Sequence, residues 1–79
     1  MAIEWQVDKF TADGVKDTFT LSYPIASQNE ELFFVKLDGI DQIMGETEAF
    51  TIGADNQSIV FNEIPANGIE VKVIYLANK

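Results

Sequence analysis

Short apolar stretches, each followed by a turn-forming residue pair or a proline, are the feature of this sequence that most constrains its fold. The stretches are rich in Phe, Val, Ile and Tyr, and Asp-Gly, Asn-Gly, Gly or Pro closes most of them. Strands at such close spacing predict an all-β fold, either a small antiparallel β-sandwich or a partly open barrel with short hairpins. The expected strands cover residues 3–8, 17–21, 32–37, 49–52, 58–64 and 69–75.

The first stretch predicts a half-buried strand. Ile3, Trp5 and Val7 alternate with polar residues, which is the period of a strand with one buried face. Phe10 breaks that alternation and indicates a bulge or a bend near Asp8-Lys9. We expect residues 1–9 to form an N-terminal arm or an edge strand of a single domain over residues 1–79.

Two of the expected strands are apolar on both faces. Leu32 and Phe34 occupy the face of their strand opposite the core residues, and Ile74 and Leu76 do the same in the last strand. A sandwich buries only one face of each sheet, so such residues predict either a covering loop at 25–31 or contact with another subunit. With the terminal residues Ile3 and Trp5 they are the candidate interface residues: Ile3, Trp5, Leu32, Phe34, Ile74 and Leu76.

A hairpin is predicted at Asp38-Gly39, because this dipeptide favours the type I′ turn that joins two adjacent strands. The turn places Lys36 opposite Asp41, where the two charges attract each other.

Length and residue types favour assembly. The chain has 79 residues, and domains this short often gain stability from disulfides, metals or partner subunits. It has no Cys and no His, so disulfides and the usual zinc sites are excluded. We therefore expect a homo-oligomer, a trimer in the first instance.

The charge disfavours two classes of partner. The formal net charge is −8, and the five lysines are scattered along a sequence without arginine. Nucleic acids and anionic membranes both require a clustered basic surface, so neither is an expected partner. Residues 1–6 lack the basic and apolar segments of a signal peptide, which predicts synthesis in a cytoplasm.

No catalytic or metal-binding motif is present. Without His and Cys the common general bases and nucleophiles are missing, and the neighbouring acids are typical of turns and solvent-facing positions. Several aspartates in expected loops could hold calcium, but the EF-hand pattern is absent. We expect a protein that is not an enzyme and that has no cofactor or metal. The loop aspartates are Asp13, Asp17, Asp38, Asp41 and Asp55.

The order of these stretches resembles that of a small β-domain in virion proteins of tailed bacteriophages. This domain occurs in tail fibres, adaptors and capsid accessory proteins. The resemblance covers nearly the whole chain, apart from extra residues at 43–48. It implies a virion structural protein, a capsid decoration or cement protein or a small connector, that binds and stabilises capsid or tail protein. The stretches that carry it are Phe10–Gly14, Phe19–Leu21, Asp38-Gly39 with Gln42, Phe50–Ile52, Ile59–Phe61, Pro65–Gly68 and Val71–Tyr75.

A glycan-binding module of a phage tail is the alternative. Trp5, Tyr23, Phe33 and Phe34 could form an aromatic platform for a sugar ring, although aromatics in small β-domains more often pack in a core or an interface.

Overall fold

The computed structural model describes residues 2–79, so that Met1, at the start of the expected N-terminal arm, lies outside the described part. The described chain contains strands and one short 3₁₀ turn, Glu30–Leu32, and no α-helix. The strands are β1 (Ile3–Thr11), β2 (Thr18–Thr20), β3 (Phe33–Leu37), β4 (Ile40–Gln42), β5 (Phe50–Ile52), β6 (Ser58–Phe61) and β7 (Glu70–Asn78).

The strands form two antiparallel sheets. The larger sheet has the order β1-β7-β3-β4 and the smaller one has the order β2-β6-β5. The sheets do not close into a barrel. The prediction of an all-β, sandwich-like fold is therefore confirmed.

Alternate residues of both sheets fill one core between them. Phe19 and Leu21 point inward, and the ring of Phe19 meets Phe61 edge-on with the centroids 5.7 Å apart. From the larger sheet, the inward residues of β3 and β7 complete the core, because residues two apart on a strand share a face. The largest fully buried side chains are Leu21, Val35, Phe50, Ile59, Val71, Val73 and Tyr75.

The bulge expected in β1 is absent, and the alternating apolar residues lie on the exposed face of the strand. β1 pairs with β7 without interruption, from Ile3 opposite Asn78 to Thr11 opposite Glu70. The buried side chain of β1 is Asp8, and Ile3, Trp5 and Val7 point outward. Because hydrogen bonds satisfy the Asp8 carboxylate inside the protein, a charged residue can take the buried face.

The predicted hairpin is confirmed in every detail. Asp38 and Gly39 both have positive φ, 48° and 83°, as a type I′ turn requires. Lys36 pairs with Asp41 across the hairpin, with 3.5 Å between the Lys36 amine and the Asp41 carboxylate.

Several strand ends differ from the prediction. β1 and β7 continue past their predicted ends, to Thr11 and Asn78, whereas β2 is limited to Thr18–Thr20 and β5 begins at Phe50. β3 begins at Phe33 and not at Leu32, because residues 30–32 form the 3₁₀ turn. The Glu31 N–H donates to the Asn29 side chain, which caps the turn. β6 ends at Phe61, so that Ile64 lies in the following loop and is exposed.

Candidate protein interface on the outer face of the larger sheet

The outer face of the larger sheet carries a continuous set of apolar side chains. The register places Trp5 opposite Leu76, and Ile74 between Val7 and Phe34, all on the face that points away from the core. We call this set the apolar band. It consists of Ile3, Trp5, Val7, Phe34, Ile74 and Leu76.

Two aromatic rings form the centre of the apolar band. Trp5 and Phe34 lie on strands separated by β7, and their ring centroids are 6.4 Å apart at an angle of 32°. Both remain open to solvent, Trp5 at 51% and Phe34 at 41% of full exposure, while Ile74 and Leu76 between them are half-buried. The band is thus an ordered apolar surface that the described chain leaves uncovered.

Five of the six predicted interface residues share this face. The sixth, Leu32, precedes β3 in the 3₁₀ turn and is half-buried there. Val7 also belongs to the band and was missed, although its two-residue spacing from Trp5 was a signal that it shares the same face.

The loop at 25–31 does not cover the band. Ile25 is buried in the core and forms a bridge to Ala77. The Ala26 N–H donates to the Leu76 carbonyl at 2.8 Å, so the start of the loop extends the sheet beside the end of β7. The exposed Phe34 shows that the loop leaves the outer face open.

β1 also presents an open backbone edge. Ala2 and Lys79 exchange backbone hydrogen bonds, and in antiparallel pairs such bonded positions recur at every second residue. The backbone groups of Ile3, Trp5 and Val7 therefore point away from β7, and no other strand within residues 2–79 pairs with them. A nine-residue edge of this kind is a template for pairing with another chain.

Behind this surface, Asp8 accepts four hydrogen bonds. Its Oδ2 accepts from the Tyr75 hydroxyl at 2.8 Å and from the Ser22 N–H at 2.9 Å. Its Oδ1 accepts from Gln6 Nε2 at 2.9 Å and from the Ser22 hydroxyl at 3.0 Å. Ser22 follows β2 of the smaller sheet, so these hydrogen bonds connect the larger sheet to the segment after β2.

The electrostatics of Asp8 indicate a structural role. Burial by itself raises the pKa of Asp8, but the hydrogen bonds from Ser22, Gln6 and Tyr75 outweigh burial and hold the pKa below its usual value. Burial, followed by the hydrogen bond to Asp8, raises the pKa of Tyr75. A carboxylate that stays ionised with its oxygens occupied is poorly matched to general-base work near neutral pH.

The loop aspartates bind their own turns. Asp13 Oδ1 accepts from the N–H groups of Val15 and Lys16, both at 2.9 Å, and these bonds lower the pKa of Asp13. Asp55 Oδ1 accepts from Gln57 N–H and the Ser58 hydroxyl, which lowers its pKa likewise. In residues 2–79 no three acidic side chains gather in a way that could hold a metal ion.

Compared with known protein families, curated protein sequences and solved structures, the chain gives no match. The part of the chain that the structure describes contains no helix of the length and apolarity needed to cross a membrane.

Proposed function

We propose that this chain is a non-enzymatic structural protein of a bacteriophage virion, a capsid decoration protein or small connector that binds capsid or tail protein. The observation that carries the proposal is the apolar band, with Trp5 and Phe34 exposed at its centre. Aromatic residues are enriched in protein interfaces and dominate their binding energy. The resemblance to a phage virion β-domain supports the location in the particle.

Binding would use two features of the larger sheet. Burial of the apolar band removes aromatic and aliphatic surface from water, which is the main driving force of association. The open edge of β1 can add backbone hydrogen bonds to a strand of the partner. Because the partner binds only the folded domain, occupancy on the particle also stabilises the fold by mass action.

The test is sedimentation with phage particles prepared without this chain. The wild-type protein is expected to sediment with the particles at a fixed, saturable stoichiometry. Phe34→Glu places a charge in the contact and should weaken binding by about 30-fold or more, which corresponds to the ~2 kcal/mol of a hot-spot residue.

Val15→Glu is the matched control, because Val15 is an exposed apolar residue outside the band. It should bind like wild type, and circular dichroism should show that both variants are folded. A wild-type protein that stays in the supernatant contradicts the proposed function, and a Phe34→Glu variant that binds normally contradicts the proposed surface.

A glycan-binding module remains the second candidate, because two exposed rings lie side by side in the apolar band. Trp5 is the single tryptophan of the chain, so its fluorescence reports directly on this surface. If the protein is structural, titration with bacterial oligosaccharides leaves the emission unchanged. Saturable quenching that Trp5→Ala abolishes would establish the glycan function instead.

A further inference from the structure

Three of the five lysines lie in one row across the outer face of the larger sheet. The register places Lys72 of β7 directly between Lys9 of β1 and Lys36 of β3. The row continues to Asp41 of β4, which is paired with Lys36. The lysines that look scattered in the sequence thus form one cationic surface, which we call the lysine row.

The positive charge of the lysine row is only partly balanced within the molecule. Like charges directly opposite each other destabilise a sheet. An acidic residue at one of these positions would remove the repulsion, and the protein has 13 acidic residues. In residues 2–79 the ion pairs are Lys36 with Asp41 and Lys79 with Glu4, which leaves Lys9 and Lys72 without a carboxylate within 4.0 Å. A local arrangement that breaks a stability rule is expected where a surface has a function.

A groove of opposite charge lies at the end of the sandwich, beside the β3–β4 hairpin. It has a volume of about 760 Å³, and apolar side chains line part of its wall, including the strongly exposed Ile40 and Ile64. No lysine lines it. Its acidic residues are Asp38, Glu46, Glu48 and Glu63. We call it the acidic groove.

We propose that the lysine row of one copy of this chain docks on the acidic groove of a second copy. The two surfaces have opposite charge, and each adjoins exposed apolar residues, Val7 beside the row and Ile40 and Ile64 in the groove. Complementary potentials of this kind orient the partners and fix their register.

The contact would be heterologous. The lysine row and the acidic groove are different surfaces of one molecule, so each copy offers both halves of the contact. Such a contact repeats from copy to copy and closes into a ring when the rotation allows it. Lys9 is four residues from Trp5, about 13 Å along the strand, so the Trp5 end of the apolar band stays free. Val7 and Phe34 lie two residues from the row on their own strands, so the contact adjoins the other end of the band. Measuring the mass of the protein alone tests the inference without a phage particle.

The test uses two charge-reversed proteins and measures their mass in solution by light scattering and native mass spectrometry. The row variant carries Lys9→Glu and Lys72→Glu. The groove variant carries Glu46→Lys, Glu48→Lys and Glu63→Lys, which leaves Asp38 as the one acid among the groove residues. We expect wild type to form a concentration-dependent oligomer and each variant alone to associate at least about tenfold more weakly. An equimolar mixture of the two variants should associate again, because the reversed row then faces the reversed groove.

A variant with Lys16→Glu and Glu30→Lys makes the same types of change outside both surfaces and should assemble like wild type. The neutral pair Lys9→Gln and Lys72→Gln, which leaves no reversed charge on the sheet, should also weaken assembly if the charge-reversed row variant does not fold. The inference is overturned by a monomeric wild type, by variants that assemble normally, or by a mixture that stays dissociated.

Discussion

At the scale of single residues, Asp8 shows how an acidic side chain can hold a small β-domain together. Its carboxylate is buried and joins Gln6 and Tyr75 of the larger sheet to Ser22, which follows β2. A buried charge is tolerated only when hydrogen bonds replace its hydration, and all four donors here do so. The backbone N–H of Tyr23 also donates to the Tyr75 hydroxyl at 3.3 Å, which extends the network.

Asp8→Asn should destabilise the protein at neutral pH. The amide keeps one acceptor oxygen, but its NH₂ group replaces the other oxygen and cannot accept hydrogen bonds from the donors there. Hydrogen bonds to charged groups contribute about 1.5–3 kcal/mol each. We expect the free energy of unfolding in urea at pH 7 to fall by about 2–3 kcal/mol. Glu63→Gln, at an exposed acid, should change it by less than about 0.5 kcal/mol. Equal effects of the two substitutions would show that the Asp8 network contributes little.

The same carboxylate should make the wild type sensitive to acid. The folded pKa of Asp8 is lower than the ordinary value of 3.8, so its ionised form stabilises the fold above about pH 4. That contribution is lost as the pH falls through the folded pKa. The difference in stability between wild type and Asp8→Asn should therefore be largest at pH 5–7 and shrink towards pH 2, as measured by urea unfolding at each pH. A difference that grows in acid would mean that the pKa is raised and not lowered.

At the scale of elements, the sequence predicts local structure better than long-range pairing. The β3–β4 hairpin follows from Asp38-Gly39 alone, because the turn type fixes which residues face each other. The buried face of β1 could not be assigned in this way. Alternation alone favoured Ile3, Trp5 and Val7, while the network that buries Asp8 involves Tyr75, 67 positions away in the chain. Phe10 was the available signal, because residues two apart on a strand share a face and an inward Phe10 places Asp8 inward as well. The prediction took Phe10 as a sign of a bulge instead.

For the interface residues too, local features could be predicted and long-range ones could not. That Phe34 and Ile74 lie on outward faces follows from the period of each strand separately. That they are neighbours, and that Lys9, Lys72 and Lys36 share a row, depends on the strand order β1-β7-β3-β4 and on its register. These are set by packing of the whole core and not by local sequence.

The β3–β4 hairpin should depend more on its turn than on its ion pair. Gly39 has φ +83°, a region that costs an L-residue about 1–2 kcal/mol, while a Cβ atom there would meet no atom within 4 Å. Gly39→Ala should thus lower the free energy of unfolding by about 1–2 kcal/mol through backbone strain alone. Asp41→Asn removes an exposed ion pair and should cost less than about 1 kcal/mol. Urea unfolding of both variants would contradict this ranking if Asp41→Asn were the more damaging.

At the scale of the whole molecule, charge is divided unevenly over the surface. The chain carries −8 overall, yet three of its lysines share one face and four acids surround one groove. The apolar band lies on the same face as the lysine row, which gives that face both an apolar and a cationic part. Because this face and the acidic groove are different surfaces, one molecule can contact two neighbours at once.

The excess of acids should also make stability depend on ionic strength. Like charges repel each other more strongly in the compact state than in the expanded chain, and salt screens them over about 10 Å at 0.1 M. At a protein concentration low enough for the chain to be monomeric, raising NaCl from about 10 mM to about 300 mM should increase Tm by about 4–8 °C, if screening contributes ~1 kcal/mol. The increase should persist in the presence of a chelator, because Asp13 and Asp55 bind backbone N–H groups of their own loops.

Calcium chloride matched in ionic strength is the control. An increase seen only with calcium, and reversed by the chelator, would show instead that these loops form a metal site.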